Sequence, residues 1–500
     1  MMQKIIKKDY KVIGTRQITL FLFPTLAALL IIFNPLNIDQ QVVKMLAVIL
    51  LVAGWWVFES LPLPVTSLLP VFLFPLLGIM DGKMVAVQYF NDIIFLYVGG
   101  FIISLALERW NLHKRIAYKT LLFFGSSHIR ILFGFMIASS FLSMWMSNTA
   151  TAMLMLPIAI SVLSELERLQ GHKQIAKYKI GLLLGIAYAC SIGGITTLIG
   201  TPPNLVFSAL FRELYQGQQE ISFSQWLMFS FPIYFVMIFL STIVLYLLHK
   251  PEKNTDEVPR HYIRNEYEKL GKINYEQKVL AVVFFLFAFA LIFKNNIEIG
   301  NFTIPGWSSL FPYSSFIKDG NIAVAIAFLL YLIPSRSDRN EKMMDWKTTL
   351  KLPWGIILLF GGGSALAKGA VTSGFSSWIG DIITNNAGNN SVAIVSASTA
   401  AMAFLTEFTS NVSTAQILLP VMSSIADKLL LPPLLLMIPV TIASSLAFMM
   451  PVATPPNAIV FGSGFISVKN MILPGLIMNI LGIIIVLTVT IFWGTYVFNF

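Results

Sequence analysis

Ser147-Asn148-Thr149-Ala150-Thr151-Ala152-Met153-Leu154-Met155-Leu156-Pro157 and Ser410-Asn411-Val412-Ser413-Thr414-Ala415-Gln416-Ile417-Leu418-Leu419-Pro420 share Ser-Asn at the start, Thr-Ala four residues on and Leu-Pro at the end. Each is followed at a distance by a second shared word, Gly200-Thr201-Pro202-Pro203-Asn204 after the first and Ala453-Thr454-Pro455-Pro456-Asn457 after the second. The same two words in the same order in two halves of one chain form an internal repeat, and the architecture is read from it.

The surroundings of both copies are apolar. Of 500 residues 56% are hydrophobic and 12% charged, about half the charged share of a soluble chain. The fold class is therefore an all-α polytopic membrane protein. Runs suited to crossing about 30 Å of hydrocarbon occur near 18–33, 43–58, 65–80, 92–107, 230–248, 279–293, 321–334, 354–367 and 471–495, with interrupted stretches at 180–211 and 434–466. Cys190 is the sole cysteine, so no disulfide forms within the chain and cysteine metal frameworks are excluded. His113, His128, His172, His249 and His261 lie in polar connections or at their edges, which argues against an intramembrane metal site or relay. The formal charge of +10 is first a topology signal and not a nucleic-acid footprint. A basic N-terminus ahead of an apolar run resembles a signal peptide, yet Phe33-Asn34-Pro35-Leu36-Asn37 offers no small-residue cleavage site, so 18–33 is expected as a retained first span.

Residues 131–146 and 150–164 are apolar arms on either side of Ser-Asn-Thr, and 391–408 and 414–427 flank the second copy. They are either two short spans joined by a surface turn or a re-entrant hairpin, whose tip stops at mid-membrane only if its backbone lines a protein cavity. Residues 108–127 suit an interfacial helix, and the hydrophilic stretch 250–278 divides the halves. With residues 1–16 cytoplasmic and both arm pairs as hairpins, the chain crosses eleven times, and 27 of its 34 Lys and Arg fall on the cytoplasmic side. The first pair then enters from the cytoplasm and the second from outside, with the C-terminus outside. Inverted repeats carrying paired broken helices point to a secondary transporter with its site at the midplane.

A Ser-Asn-Thr tip supplies hydroxyls and an amide, and the free N–H groups and positive dipole end of its second arm face the same place. That makes an anion site without a formal charge. The paired prolines remove N–H donors and free backbone carbonyls, beside which Asn supplies another oxygen for a hard cation. Residues 131–164, 180–208 and 429–468 contain no Asp, Glu, Lys, Arg or His, and 391–426 contain only Glu407. A dianion held there meets no Lys or Arg from these segments, so bound cations are the natural compensation. Glu407 is expected as a hydrogen-bonded structural acid, with cation-site and proton-coupling roles as alternatives, and Lys368 as an interfacial anchor.

Ser444-Ser445-Leu446-Ala447-Phe448-Met449-Met450-Pro451-Val452-Ala453-Thr454-Pro455-Pro456-Asn457-Ala458-Ile459-Val460, together with the two Ser-Asn words, resembles the signature of the divalent-anion:sodium symporter family, the INDY-type di- and tricarboxylate transporters. The resemblance covers nearly the whole chain. It implies a homodimeric elevator transporter in the cytoplasmic membrane, with scaffold segments 1–127 and 250–390 and transport segments 128–249 and 391–500. Carried over, its first sodium site falls on Ser143, Ser147, Asn148 and Gly200, and its second on Thr406, Thr409, Asn411 and Ala453. Substrate carboxylates fall to Ser147, Asn148, Thr149, Ser410, Asn411 and Val412, with help from Thr201, Pro202, Thr454 and Pro455. Val412 departs from the symmetric pattern, which has Thr there, and this bears on substrate preference.

The expected activity is Na⁺-coupled uptake of a C4 or C5 dicarboxylate such as succinate, malate, fumarate or 2-oxoglutarate, with no cofactor beyond Na⁺ as coupling ion. Obligate dicarboxylate exchange is the alternative within the family. A channel fits the inverted repeat poorly, and a membrane-embedded enzyme would need a nucleophile with a base, or a metal cluster, which these segments lack.

Overall fold

The computed structural model describes residues 2–90, 92–125, 127–218, 220–251, 260–299, 302–338, 340–387 and 390–498. Its elements are helices apart from one small antiparallel hairpin, Ile297–Ile299 with Phe302–Ile304, in which Ile297 faces Ile304. Nine helices among the described residues are long and apolar enough to cross a membrane, and shorter apolar helices include His128–Ser143, Ser391–Leu405 and Pro433–Ala443.

Proline chemistry explains the main departure from the expected spans. The run 65–80 is not one helix but Leu63–Thr66 and Leu69–Leu77, followed by Gly82–Gln88. Pro64 and Pro70 each sit in the first turn of a new helix, where the missing N–H costs nothing. Gly78, at φ +69°, ends the second piece, and Asp81 starts the next by accepting from the Lys83 and Met84 backbone N–H groups. The stretch expected at the interface is the helix Leu112–Phe124. Arg115 on that helix donates to the carbonyls of Leu270 and Gly271 and to Gln277 Oε1, tying the first half to the start of the second.

The first arm pair is the hairpin His128–Ser143 and Asn148–Gln170; the second is Ser391–Leu405 and Asn411–Leu429. The first interrupted stretch is a broken helix, His172–Thr196 and Pro202–Leu214; the second is Pro433–Ala443 and Pro455–Gly462. Before its break, each broken helix packs along both arms of its own hairpin. Past the break each packs on the second arm of the opposite hairpin: Pro202–Leu214 on Asn411–Leu429, and Pro455–Gly462 on Asn148–Gln170. After passing the first tip, the first broken helix therefore continues for 13 residues, about 20 Å, through the territory of the second. Each broken helix therefore packs against both hairpins, one on either side of its break.

A third pair of similar stretches, Val98-Gly99-Gly100 and Phe360-Gly361-Gly362-Gly363, is rich in glycine. A Cβ at Gly99 would collide with the Ala323 backbone, and one at Gly363 with the Gln416 amide, so each word marks a close helix crossing. The apolar core falls into two clusters. A smaller one joins Ala27 through Val85 with Leu359, Leu366 and Phe375, and a larger one holds both hairpins and both broken helices. Val412 packs against both.

Candidate functional site: two opposed tips

The first tip turns at residues 144–146, and Ser147 caps the second arm by accepting from the Ala150 N–H at 3.1 Å. Its oxygen is thus engaged by its own helix, while its O–H can still donate. Asn148 reaches the break: its amide end lies 2.6 Å from Ser143 Oγ, 3.1 Å from the Cys190 carbonyl and 3.3 Å from the Gly200 carbonyl. Turned nitrogen-first, the amide donates to all three and knits the tip without an ion. Turned oxygen-first, it accepts from Ser143 and leaves two carbonyls facing a third oxygen. That second arrangement is an all-oxygen cluster suited to a hard monovalent cation. Ser143, Asn148 and Gly200 are thus brought together as the family pattern implies, and the Cys190 carbonyl joins them.

The second tip repeats this with a difference. Thr406 Oγ1 lies 2.6 Å from Asn411 Oδ1 and 2.9 Å from the Ser444 carbonyl. One hydroxyl hydrogen cannot satisfy both oxygens, so with Asn411 turned oxygen-first this cluster is one donor short, as the first is with Asn148 turned the same way. Thr409 points elsewhere, to the Leu405 carbonyl at 2.8 Å and Thr414 Oγ1 at 2.6 Å. Ala453 is buried, with its N–H on the Met450 carbonyl. Ser410 starts the second arm without capping it through its side chain, so its hydroxyl is uncommitted where that of Ser147 is engaged. Asn148, Thr149, Asn411 and Val412 are half-buried, as suits groups lining a cleft.

At the two breaks, Thr201 and Thr454 are buried and occupy the cap positions of the resumed helices. Pro202 is half-buried and Pro455 exposed. The asparagines that close these words have a role that the sequence reading did not assign. Asn204 Nδ2 donates to the carbonyls of Gly194, Ile195 and Thr197, and Ser230 supplies the Thr196 carbonyl. The carbonyls freed by the first break are therefore satisfied by side chains, as buried backbone requires. Asn457 Nδ2 does the same for Ala447 and Met450. The Oδ1 atoms of both asparagines remain buried without a partner. These amides were expected to offer oxygen; their nitrogens hold the breaks in shape.

The second break, residues 444–454, is more than twice as long as the first, 197–201. Glu407 spans the difference. It accepts from the N–H groups of Phe448, Met449 and Met450 at 2.8–3.1 Å and from Asn479 Nδ2 at 2.7 Å. Every one of these partners is a donor, the surroundings that fit a carboxylate. The hydrogen bonds expected of a structural acid are present. Asn479, a lone amide in the apolar run 471–495, was the available signal for this network. Lys368 pairs with Glu213 at 2.7 Å, and the adjacent Arg212 pairs with Asp92. Both cations are therefore held at the far end of Pro202–Leu214.

The family model for the sodium:sulfate symporter transmembrane region matches residues 15–500. The chain belongs to this family. Its relatives include the sodium-dependent dicarboxylate transporter SdcS of Staphylococcus saprophyticus, 40% identical over 97% of this chain and 93% of the relative. SdcS of Staphylococcus aureus strain MRSA252 is 38% identical over 96% of this chain and 92% of the relative. Among solved structures, the YdaH transporter of Alcanivorax borkumensis matches with a TM-score of 0.56 at 14% identity, covering 83% of this chain and 90% of that one. MtrF of Neisseria gonorrhoeae matches with a TM-score of 0.50 at 13% identity, covering 83% and 84%. At such identities the likeness is one of fold alone. This symporter-family chain is thus a multi-pass membrane transporter, and the described residues contain no cluster of three or more His, Cys, Asp or Glu able to hold a metal ion.

Proposed function

We propose that this chain is a Na⁺-coupled symporter of C4 and C5 dicarboxylates such as succinate, malate, fumarate and 2-oxoglutarate. The observation that carries the reading is the matched oxygen cluster at each tip: Ser143, Asn148 and the Gly200 carbonyl in one, Thr406, Asn411 and the Ser444 carbonyl in the other. The names of the Staphylococcus relatives agree with it.

The proposed chemistry follows from charge. A dianion between the tips would be met by Ser147, Asn148, Thr149, Ser410, Asn411 and Val412, with Thr201, Pro202, Thr454 and Pro455 closing the breaks behind it. The donors in this set are neutral, so its two charges call for cations. A Na⁺ about 4 Å from a carboxylate contributes about 4 kcal/mol at an effective dielectric constant of 20. Sodium is cargo here: each ion raises affinity for the anion, and the anion raises affinity for sodium by the same factor. Ser147 and Asn148 would serve both ion and substrate at the first tip, as Asn411 would at the second; Ala453 would stand beside the second sodium, and Thr409 would join it by turning from its bonds to Leu405 and Thr414.

In this reading residues 128–249 and 391–500 form a body that moves as an elevator against a scaffold of 1–127 and 250–390, held as a homodimer. The protein sits in the cytoplasmic membrane with its N-terminus in the cytoplasm and its C-terminus outside. The test is equilibrium binding of radiolabelled succinate to purified protein in NaCl or in choline chloride. Affinity at least 100-fold weaker in choline is expected, and equal affinity in the two salts would refute the coupling.

A further inference from the structure

The helix Asp92–Arg109 is held differently at its two ends. At one end Arg109 pairs with Glu341 at 2.7 Å and with Asp345, and all three lie in the proposed scaffold. At the other end Asp92 pairs with Arg212, which lies in the proposed transport body. Three further ion pairs cross the same boundary: Lys368 with Glu213 at 2.7 Å, Lys318 with Glu220 at 3.0 Å and Lys428 with Asp381 at 2.6 Å. The Asp319 carboxylate adds a link of another kind. One of its oxygens holds Lys294 at 2.6 Å, and the other accepts from the Phe223 N–H at 3.3 Å.

These contacts gather where Pro202–Leu214 ends. Arg212 and Glu213 are on its last turn. Glu220, Lys318, Asp92, Arg212 and Asp319 line one polar cavity of about 70 Å³. Tyr215, the next residue after the helix, donates to Asp427 at 2.9 Å, beside Lys428. The side chains of the four crossing pairs are 22–57% exposed. Pairs so placed are individually weak and part into water at little cost, whereas parting a buried pair strands its charges. They suit a contact that breaks and re-forms, and four acting together bias a two-state equilibrium that one alone would barely move.

We infer that the four pairs form an electrostatic latch between scaffold and transport body, closed in this structure and open once the transport body has moved. Its strength sets the share of molecules that rest in the closed arrangement. The inference rests on the elevator reading, which supplies the boundary the pairs cross.

Two measurements test it and separate it from that reading. The first ties the latch shut: Glu220→Cys with Lys318→Cys, bridged by a short bifunctional methanethiosulfonate. Cys190 is buried and stays in every variant. Bridging should lower succinate uptake into proteoliposomes by at least about tenfold, reductant should restore it, and the single-cysteine variants should respond to neither. The second weakens the latch without changing its shape, through Asp92→Asn, Glu213→Gln, Glu220→Gln and Asp381→Asn together. Spin labels on Gln216→Cys and Tyr313→Cys, both exposed, report the separation of the two bodies by pulsed electron spin resonance. The fourfold variant should raise the ratio of long to short separations by at least about fivefold. As a control with the charges retained, the exchanged pair Glu220→Lys with Lys318→Glu should keep the native distribution. Native uptake by the bridged protein would show that these ends do not part, and would contradict latch and elevator alike. Uptake lost on bridging, with an unmoved distribution in the fourfold variant, would keep the motion and overturn the latch.

Discussion

Thr406 Oγ1 sits 2.6 Å from Asn411 Oδ1, five residues ahead of it, and Ser143 and Asn148 repeat both the spacing and the distance in the opposite hairpin. In each case the hydroxyl lies at the end of the first arm and the amide on the first residue of the second. The pair fixes the asparagine against its break, so removing the hydroxyl should loosen the cation oxygens while leaving the other substrate donors, Ser147, Thr149 and Ser410, in place. Ser143→Ala and Thr406→Val should each raise the sodium concentration for half-maximal uptake by about tenfold, with the succinate KM at saturating sodium within about threefold of the native value. An unchanged sodium dependence in both variants would separate these hydroxyls from the coupling ion.

Asn204 and Asn457 brace the two breaks through their amide nitrogens. Replacement by leucine leaves two or three buried carbonyls without a donor, at about 1–3 kcal/mol for each group. Asn204→Leu and Asn457→Leu should therefore lower the melting temperature of the purified protein and abolish uptake together. Native stability with lost uptake would instead make these asparagines direct ligands.

Glu407 holds three consecutive backbone N–H groups and Asn479. In Glu407→Gln the introduced NH₂ would face a donor, so the long second break loses part of its support. Uptake should fall more than tenfold at every pH between about 5.5 and about 8.5, with the shape of the pH profile unchanged. A variant that transports at the native rate but loses a pH step would assign Glu407 to proton coupling.

Lys368 and Glu213 join the helices Trp354–Thr372 and Pro202–Leu214. Lys368→Glu and Glu213→Lys should each slow uptake by juxtaposing like charges, and the exchanged pair should recover most of the loss, with the interaction read from the double-mutant cycle. If Lys368 contacted the dicarboxylate, the exchanged pair would stay as defective as Lys368→Glu, with a raised KM.

Val412 stands where Thr149 stands in the first tip. Val412→Thr adds a hydroxyl with little change of volume and should alter the ratio of succinate to malate KM by more than threefold, without moving the sodium half-saturation point. A constant ratio would place substrate discrimination elsewhere.

The repeat and its inversion were legible because each rests on a sum: two words in two places, and the bias of many Lys and Arg. The re-entrant arms were not decided by length, since both readings use the same residues. The crossing of Pro202–Leu214 onto the second hairpin is a long-range packing fact that no local run of residues shows. Asn204 and Asn457 were visible as residues but not as braces, because an amide offers a donor at one end and an acceptor at the other. The split of 65–80 was foreshadowed by Pro64 and Pro70, outweighed in the sequence by unbroken apolarity. The strands at 297–304 are too short to show a period of two.

The central claim is that dicarboxylate moves with sodium through the paired tips. Radiolabelled succinate uptake into proteoliposomes tests it most directly, comparing empty vesicles under an inward Na⁺ gradient with succinate-loaded vesicles lacking Na⁺. The account predicts concentrative uptake into the empty vesicles, abolished by Asn148→Ala and by Asn411→Ala. Uptake confined to loaded, Na⁺-free vesicles, or normal uptake by either variant, would contradict it.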